Sequence, residues 1–255
     1  MKEFEGKVAV VTGASSGIGS AIAQRLAEEG MIVAGLARNS GKVIEMAEQL
    51  GNKGQNIHAI ATDVTKEDSV RKAFDYINKN LGVIHVLVNS AGISKFALLT
   101  KGSPDEWRAI LDTNVVGLSI VTKEAIASMT ANGVHGHIIH INSVLGHFHL
   151  NQHSGHFYEA SKFAVTSLTE SLRKELIEMK SGIKITSISP GIVDTPMLDT
   201  TLLGVEGAGE IIDAFKRTNP ALHVNDVVDG IIYVLNTAPH VQVHELIMRP
   251  VGEQI

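Results

Sequence analysis

The stretch TGASSGIG, residues 12–19, decides the fold, because its glycines stand between a strand pattern and a helix pattern. The β-branched run KVAVVT (7–12) precedes it, and an apolar helical periodicity near 17–30 follows. Glycines let the backbone approach a pyrophosphate, and free N–H groups at a helix start bind its charge. The spacing is G-x3-G-x-G rather than G-x-G-x-x-G, so a glycine-rich turn without a ligand is the alternative. We expect phosphate contacts from Thr12, Gly13, Ser15, Ser16, Gly17, Ile18 and Gly19.

Six further strand patterns follow KVAVVT, and helical patterns separate them. The strand runs lie near residues 31–37, 56–64, 84–90, 136–143, 183–189 and 241–248. Most are continuous apolar runs, which is typical of parallel strands that helices cover on both faces. We therefore predict an α/β fold with a single domain over residues 1–255. Its core would be a Rossmann-like, doubly wound parallel sheet of about seven strands with helices on both faces.

Composition narrows the classes of function. The chain of 255 residues is 44% hydrophobic and 19% charged, enough for a sizeable core. A net charge of −5 argues against a nucleic-acid partner or an anionic membrane surface. The absence of cysteine excludes disulfides, thiolate metal sites and a thiol nucleophile. No apolar run reaches the ~18–20 residues of a membrane span, and the N-terminus is a poor signal peptide, so we expect a cytoplasmic protein.

Strand ends are the candidate ligand contacts, because doubly wound sheets bind ligands where the strand order reverses. The second strand ends at Ala37, Arg38 and Asn39, with no carboxylate for a ribose 2′-hydroxyl. The planar guanidinium of Arg38 suits a 2′-phosphate, which favours NADP(H) over NAD(H). A solvated surface arginine is the alternative. The third and fourth strand ends add the candidates Asp63, Val64, Asn89, Ala91 and Gly92. Each of these is also a common turn residue.

Tyr158 and Lys162 form a candidate proton-transfer pair, because residues four apart share one face of a helix. We expect the ammonium to lower the tyrosine pKa, so that the phenol exchanges a proton with an alcohol or a carbonyl. Ser143, at the end of strand five, could hold the substrate oxygen or simply cap a turn. Asn114 lies on a buried helix stripe, where its amide either bridges to backbone or holds a water that leads to Lys162.

Several motifs in order resemble the short-chain dehydrogenase/reductase family. They are TGASSGIG, NSAG (89–92), Asn114, Ser143, YEASK (158–162) and SPGIVDTPM (189–197). The resemblance covers essentially the whole chain and implies an oxidoreductase with a tetrad of Asn114, Ser143, Tyr158 and Lys162. Tyr158 would be the acid/base and Ser143 would hold the reacting oxygen. Lys162 would bind the nicotinamide ribose, and Asn114 would hold the relay water.

The same resemblance implies further contacts and a substrate class. Pro190, Gly191, Val193 and Thr195 match the segment that family members place beside the nicotinamide. The segment from Ser143 to Leu176 and the ending HELIMRP (244–250) are similar to NADP-preferring members that act on lipophilic alcohols or ketones. We rank a farnesol-type isoprenoid alcohol first, with 3- or 17-ketosteroids and general carbonyls as the alternative. A non-catalytic NADP(H)-binding protein is the alternative from another class. A homodimer or homotetramer is expected from the resemblance.

Two segments stay open in the sequence. Residues 192–209 are loop-like and match the substrate lid of family members, with an apolar wall of Met197, Leu198, Leu202 and Leu203. Ordinary packing or an oligomer contact is the alternative. Seven of the twelve histidines lie between His135 and His156. Their spacing matches no metal motif, so we expect no metal and interpret them as surface residues or a polar rim over the pocket.

Overall fold

Seven parallel strands form the centre of the computed structural model, which describes residues 1–149, 156–202 and 207–253. The strands are β1 (Val8–Thr12), β2 (Ile32–Ala37), β3 (Ile57–Ala61), β4 (Ile84–Asn89), β5 (His137–Ile141), β6 (Lys184–Pro190) and β7 (Glu245–Met248). Their order is β3-β2-β1-β4-β5-β6-β7, so the strand order reverses between β1 and β4. The predicted doubly wound parallel sheet is confirmed, and the carboxyl ends of β1 and β4 meet at its reversal point.

Helices occupy the connections between strands. They are α1 (Gly17–Glu28), α2 (Ser40–Gln49), α3 (Glu67–Asn80), α4 (Pro104–Leu111), α5 (Leu118–Ala131), α6 (His156–Glu178), α7 (Met197–Thr201), α8 (Ala208–Thr218) and α9 (Val224–Leu235). The long helix predicted over 104–131 is interrupted by a π-helical turn at Asp112–Gly117, which joins α4 to α5. Within the described residues, no helix is long and apolar enough to cross a membrane.

Both faces of the sheet are covered, as alternate residues of β1 demonstrate. Ala9 and Val11 pack into one apolar cluster, which α1 and α9 complete. Val8 and Val10 point the other way, into a second cluster that includes α3, α5 and part of α6. Phe74 of α3 is 2% exposed, and burial of such a side chain contributes about 1.5–3 kcal/mol. The two clusters hold the sheet from both faces, and the carboxyl ends of the strands are available for a functional site.

Candidate active site

The glycine loop after β1 closely approaches neighbouring backbone. Gly13 has φ +68°, and a Cβ there would lie 2.9 Å from Cα of Ala91. A Cβ on Gly19 would overlap the carbonyl of Gly13. Ser16 precedes α1 and its hydroxyl makes no capping hydrogen bond to the helix start. The first N–H groups of α1, at Gly17, Ile18 and Gly19, therefore offer donors to an anion.

Thr12 joins this loop to the turn after β4. Its Oγ1 accepts hydrogen bonds from the backbone N–H groups of Ser90 and Ala91, each at 3.0 Å. Thr12 is 1% exposed, and its hydroxyl contacts the turn after β4 rather than solvent. Ser90 was not among the predicted contacts. The connection holds the two central strand ends of the sheet side by side.

The ends of β2 and β3 lie beside each other. Arg38 and Asn39 follow β2 and are exposed. The Oδ1 of Asp63 accepts from the N–H and the hydroxyl of Thr65 at 3.0 and 2.8 Å. Burial would raise the pKa of Asp63, but the hydrogen bonds from Thr65 and the charge of Arg38 lower it below its ordinary value. The structure thus brings an exposed cation and an ionised carboxylate to the predicted adenosine end.

Asn89 and Asn114 are buried amides with structural partners. Nδ2 of Asn89 donates to Oγ1 of Thr122 at 2.8 Å. Asn114 lies in the π-helical turn, where its Oδ1 accepts from N–H of Ile93 at 2.8 Å. Its Nδ2 donates to the Ile93 carbonyl at 2.9 Å and to Oγ of Ser161 at 3.0 Å. Asn114 therefore makes the backbone bridge that the sequence left as one alternative, and its water relay stays a prediction.

The loop after β4 and the π-helical turn leave little space around them. A Cβ on Gly92 would touch Oδ1 of Asn114 at 3.4 Å. A Cβ on Gly117 would lie 3.0 Å from Cγ2 of Val64. The predicted contacts Val64, Ala91 and Gly92 therefore line one tightly packed edge at the strand ends.

Ser143, Tyr158 and Lys162 come together at the carboxyl end of β5. Ser143 is 8% exposed, and its Oγ accepts from N–H of Leu145 at 3.1 Å. Ser143 is also near enough to Tyr158 to lower the pKa of its phenol. Lys162 is 6% exposed, and its Nζ lies 5.5 Å from the centre of the Tyr158 ring. Three of the four predicted catalytic side chains thus form one cluster.

The predicted direction of the Tyr158 pKa is wrong. Burial raises the pKa of the phenol to about 12, and Ser143 lowers it only in part. Nζ of Lys162 donates to the carbonyl of Ile141 at 2.8 Å. Burial also lowers the pKa of Lys162 to about 8. Tyr158 therefore keeps its proton at neutral pH, while Lys162 stays largely charged.

The turn at residues 190–195 lies between the glycine loop and the C-terminal end of the chain. Thr195 is adjacent to Gly17, since a Cβ there would meet Cγ2 of Thr195 at 3.3 Å. N–H of Gly191 donates to Met248 O at 2.7 Å, and Val193 bridges in parallel to Leu222. Pro190, Gly191 and Val193 are thus held against Met248 and Leu222, whereas Thr195 lies next to the start of α1.

The predicted lid region is partly helical rather than a loop. Met197 and Leu198 belong to α7, and Leu202 is 7% exposed. N–H of Phe96 donates to the carbonyl of Thr201 at 3.1 Å, which ties α7 to the loop after β4. A cavity of about 390 Å³ lies between Leu198 and α8. Leu203 lies outside the described residues.

The histidines between 135 and 156 have separate environments. His137 and His140 are each 1% exposed within β5, which contradicts the interpretation of this group as surface or rim residues. His147 approaches Oγ of Ser189 at 3.0 Å, and His149 approaches Oε2 of Glu159 at 3.0 Å. Within the described residues, no three His, Asp or Glu side chains lie together as a metal site. His153 lies outside those residues.

The arrangement fits a dinucleotide on structural grounds. The cradle at Gly13 and Gly19 has room only for a residue without a Cβ, so backbone can approach a ligand there. Arg38, after β2, lies at one end of the row of strand ends, and the Tyr158 cluster, after β5, lies at the other. Thr12 and the π-helical turn hold the loops between them in place. The strand ends therefore offer backbone donors and a cation to an extended, phosphate-containing ligand, with the half-buried phenol of Tyr158 at one end.

Comparisons with known proteins agree with this geometry. The chain is 43% identical over 256 residues to a farnesol dehydrogenase of Aedes aegypti, with 100% of both chains covered. It is 38% identical over 253 residues to dehydrogenase/reductase SDR family member 11 of Mus musculus, with 98% of this chain and 96% of that protein covered. A closed serine dehydrogenase complexed with NADP+ superposes with a TM-score of 0.87 at 27% identity, over 97% of this chain and 96% of that one. Other similar structures hold NAD or NADPH.

The family assignment follows from these matches and from the site. The short chain dehydrogenase family matches residues 7–204. The resemblance seen in the sequence motifs is confirmed, and so is the seven-stranded fold. The chain belongs to the short-chain dehydrogenase family of oxidoreductases.

Proposed function

We propose that this oxidoreductase uses NADP(H) and interconverts a lipophilic alcohol and its carbonyl, with a farnesol-type isoprenoid alcohol ranked first. One observation carries the chemistry: the half-buried phenol of Tyr158 lies close to Ser143, with Nζ of the buried Lys162 5.5 Å from the centre of its ring. The 43% identity to a farnesol dehydrogenase supports the substrate ranking. The proposal treats the chain as a single catalytic domain that works in the cytoplasm as a dimer or tetramer.

The cofactor preference is argued from the end of β2. Ala37 is 6% exposed and offers no acceptor for a ribose 2′-hydroxyl. Arg38 is exposed, and its charge already acts on Asp63. A 2′-phosphate there would accept charge-assisted hydrogen bonds from the guanidinium, which a plain ribose cannot do. The glycine loop and the N-terminus of α1 would hold the pyrophosphate.

Bound NADP(H) would supply or accept the hydride. The chain supplies the proton and the orientation. The phenol of Tyr158 keeps its proton at neutral pH, which suits it to donate that proton to a reacting carbonyl oxygen. The hydroxyl of Ser143 would hold the same oxygen. The charge of Lys162 would stabilise the phenolate that forms, since the ammonium lies over the tyrosine ring.

Apolar side chains beside Tyr158 and beside the 190–195 turn support a lipophilic substrate. Phe157 precedes Tyr158 and stacks on Trp107 of α4, with ring centres 4.9 Å apart. Leu198 lines the cavity beside the 190–195 turn. Aromatic and aliphatic side chains are typical of the walls of sites for apolar ligands. We propose that residues 192–209 act as the substrate lid over this region.

Nicotinamide absorbance tests the proposal directly. The purified chain is mixed with farnesol and either NADP+ or NAD+, and reduced cofactor is followed over time. We expect faster turnover with NADP+. A preference for NAD+ would contradict the role of Arg38. Turnover of a ketosteroid with NADPH, but none of farnesol, would contradict the isoprenoid ranking and leave the reaction class intact.

A further inference from the structure

Glu253 is a buried carboxylate close to the C-terminal end of the chain. Its side chain is 0% exposed, although glutamate is rarely buried without a partner. Burying an ionised carboxylate is costly unless hydrogen bonds and an opposite charge compensate for the lost water. The surroundings of Glu253 therefore show what keeps it there.

Among the residues that the structure describes, the carboxylate of Glu253 has two partners, from two different parts of the chain. Its Oε1 accepts a hydrogen bond from the backbone N–H of Ile192 at 2.6 Å. Its Oε2 forms an ion pair with Nε of Arg249, and the guanidinium of Arg249 lies 5.1 Å from the centre of the Phe148 ring. The carboxylate thus links the turn after β6 to the C-terminal segment, and Arg249 extends the link to the segment before α6.

The position of Glu253 leaves Gly191 no room for a side chain. A Cβ on Gly191 would overlap the carboxylate of Glu253. The glycine and the buried carboxylate are therefore complementary in shape. Three backbone hydrogen bonds among the described residues also hold this turn: N–H of Gly191 donates to Met248 O at 2.7 Å, N–H of Asp194 to Leu222 O at 2.9 Å, and N–H of Leu222 to Ile192 O at 2.8 Å. Glu253 adds a side-chain anchor on the N–H of Ile192, whose carbonyl Leu222 already holds.

We infer that Glu253 is a positioning residue for the nicotinamide half of the cofactor. The carboxylate fixes Ile192, and Ile192 leads directly to Val193 and Thr195, which we propose contact the nicotinamide. Thr195 in turn lies against Gly17 at the start of α1. Glu253 itself touches neither cofactor nor substrate in this account. The inference rests on the proposed use of NADP(H).

Two ligands separate this role from ordinary anchoring of the chain end. NADPH carries the nicotinamide, whereas adenosine 2′,5′-bisphosphate carries only the phosphorylated adenosine half. A defect confined to the 190–195 turn weakens NADPH binding alone. General loosening of the fold weakens binding of both ligands, because the adenosine half depends on the same sheet.

The experiment measures the Kd of both ligands by calorimetry for the full chain, for Glu253→Ala and for Glu253→Gln. The amide of glutamine can still accept from Ile192 but carries no charge for Arg249. We expect Glu253→Ala to weaken NADPH binding about tenfold, and Glu253→Gln to restore most of it. Neither change should alter the Kd of the bisphosphate. Glu178→Ala is the matched control, because Glu178 is exposed at the end of α6.

The outcomes distinguish this inference from the proposed function. Equal loss of both ligands, or unchanged NADPH binding in Glu253→Ala, would overturn the positioning role while the wild-type chain still binds both. If the wild-type chain binds neither ligand, the proposed cofactor is wrong and the inference fails with it. NADPH binding that is lost in Glu253→Ala and does not recover in Glu253→Gln would also overturn the inference, because the glutamine can still accept from Ile192.

Discussion

Lowering the pH should destabilise the folded chain through His137 and His140. Both imidazoles lie within β5, and burial lowers the pKa of each to about 3 from an ordinary 6.5. The nearby charges of Lys184 and Lys162 act in the same direction. The unfolded chain therefore binds protons below pH 6.5 that the folded chain does not. Stability is lost as the pH falls below 6.5, and the loss continues towards the folded pKa.

While the pH stays above the folded pKa of about 3, the loss of stability is set by how far the pH lies below the unfolded pKa of 6.5. One pKa unit corresponds to about 1.36 kcal/mol. At pH 5.5 the unfolded state therefore gains about 1.4 kcal/mol from each histidine, and at pH 7.5 it gains less than about 0.1 kcal/mol. The pair should lower the free energy of unfolding by nearly 3 kcal/mol between these conditions. That is a large part of the roughly 5–15 kcal/mol that stabilises a typical domain.

Urea unfolding at pH 7.5, 6.5 and 5.5 tests this, at one protein concentration because assembly would shift the midpoint. His140→Asn keeps a hydrogen-bonding group between Thr122 and Thr169. This change should remove about 1.4 kcal/mol of the pH dependence, whatever it does to stability at pH 7.5. His240→Asn is the control, because His240 is exposed. If the free energy of unfolding depends on pH in His140→Asn as it does in His240→Asn and the unaltered chain, the reasoning is refuted.

Three further changes probe the site. Arg38→Ala should weaken NADPH binding about tenfold and leave NADH binding unchanged in a titration; equal effects on both would contradict the 2′-phosphate contact. Gly19→Ala should weaken binding of both cofactors at least about tenfold, because the new Cβ overlaps the Gly13 carbonyl; Gly209→Ala, which has nothing within 4 Å, should leave it intact. The rate of carbonyl reduction should fall as the pH rises through about 8, where Lys162 loses its charge. Lys162→Arg should move that fall to higher pH, and an unmoved profile would contradict the assignment.

The features that depend on local pattern were predictable from the sequence. Continuous apolar runs reveal strands that are buried on both faces, and β1 shows both of its faces packed. The glycines of residues 12–19 mark the loop because no other residue type fits at Gly13 or Gly19. Tyr158 and Lys162 share a helix face by spacing alone. Each of these inferences needs only residues that are near one another in the chain.

The remaining features depend on contacts between distant residues. The raised pKa of Tyr158 comes from burial, which the residue's neighbours in sequence do not reveal. Glu253 meets Ile192 across 61 positions, and its sequence context gives no sign of a buried carboxylate. Thr12 accepts from Ser90 and Ala91, which follow a different strand. The π-helical turn at Asn114 had a weak signal, an amide on an otherwise apolar stripe, but the bridge to Ile93 appears only in three dimensions.

The central claim is that Tyr158 transfers the proton, and Tyr158→Phe tests it most directly. This change removes the hydroxyl near Ser143 and keeps the ring beside Lys162. Turnover of farnesol with NADP+ and the Kd of NADPH would be measured on the same preparation. We predict that turnover falls about 10²–10⁴-fold while NADPH binding persists. Full turnover in Tyr158→Phe would contradict the proton-transfer role.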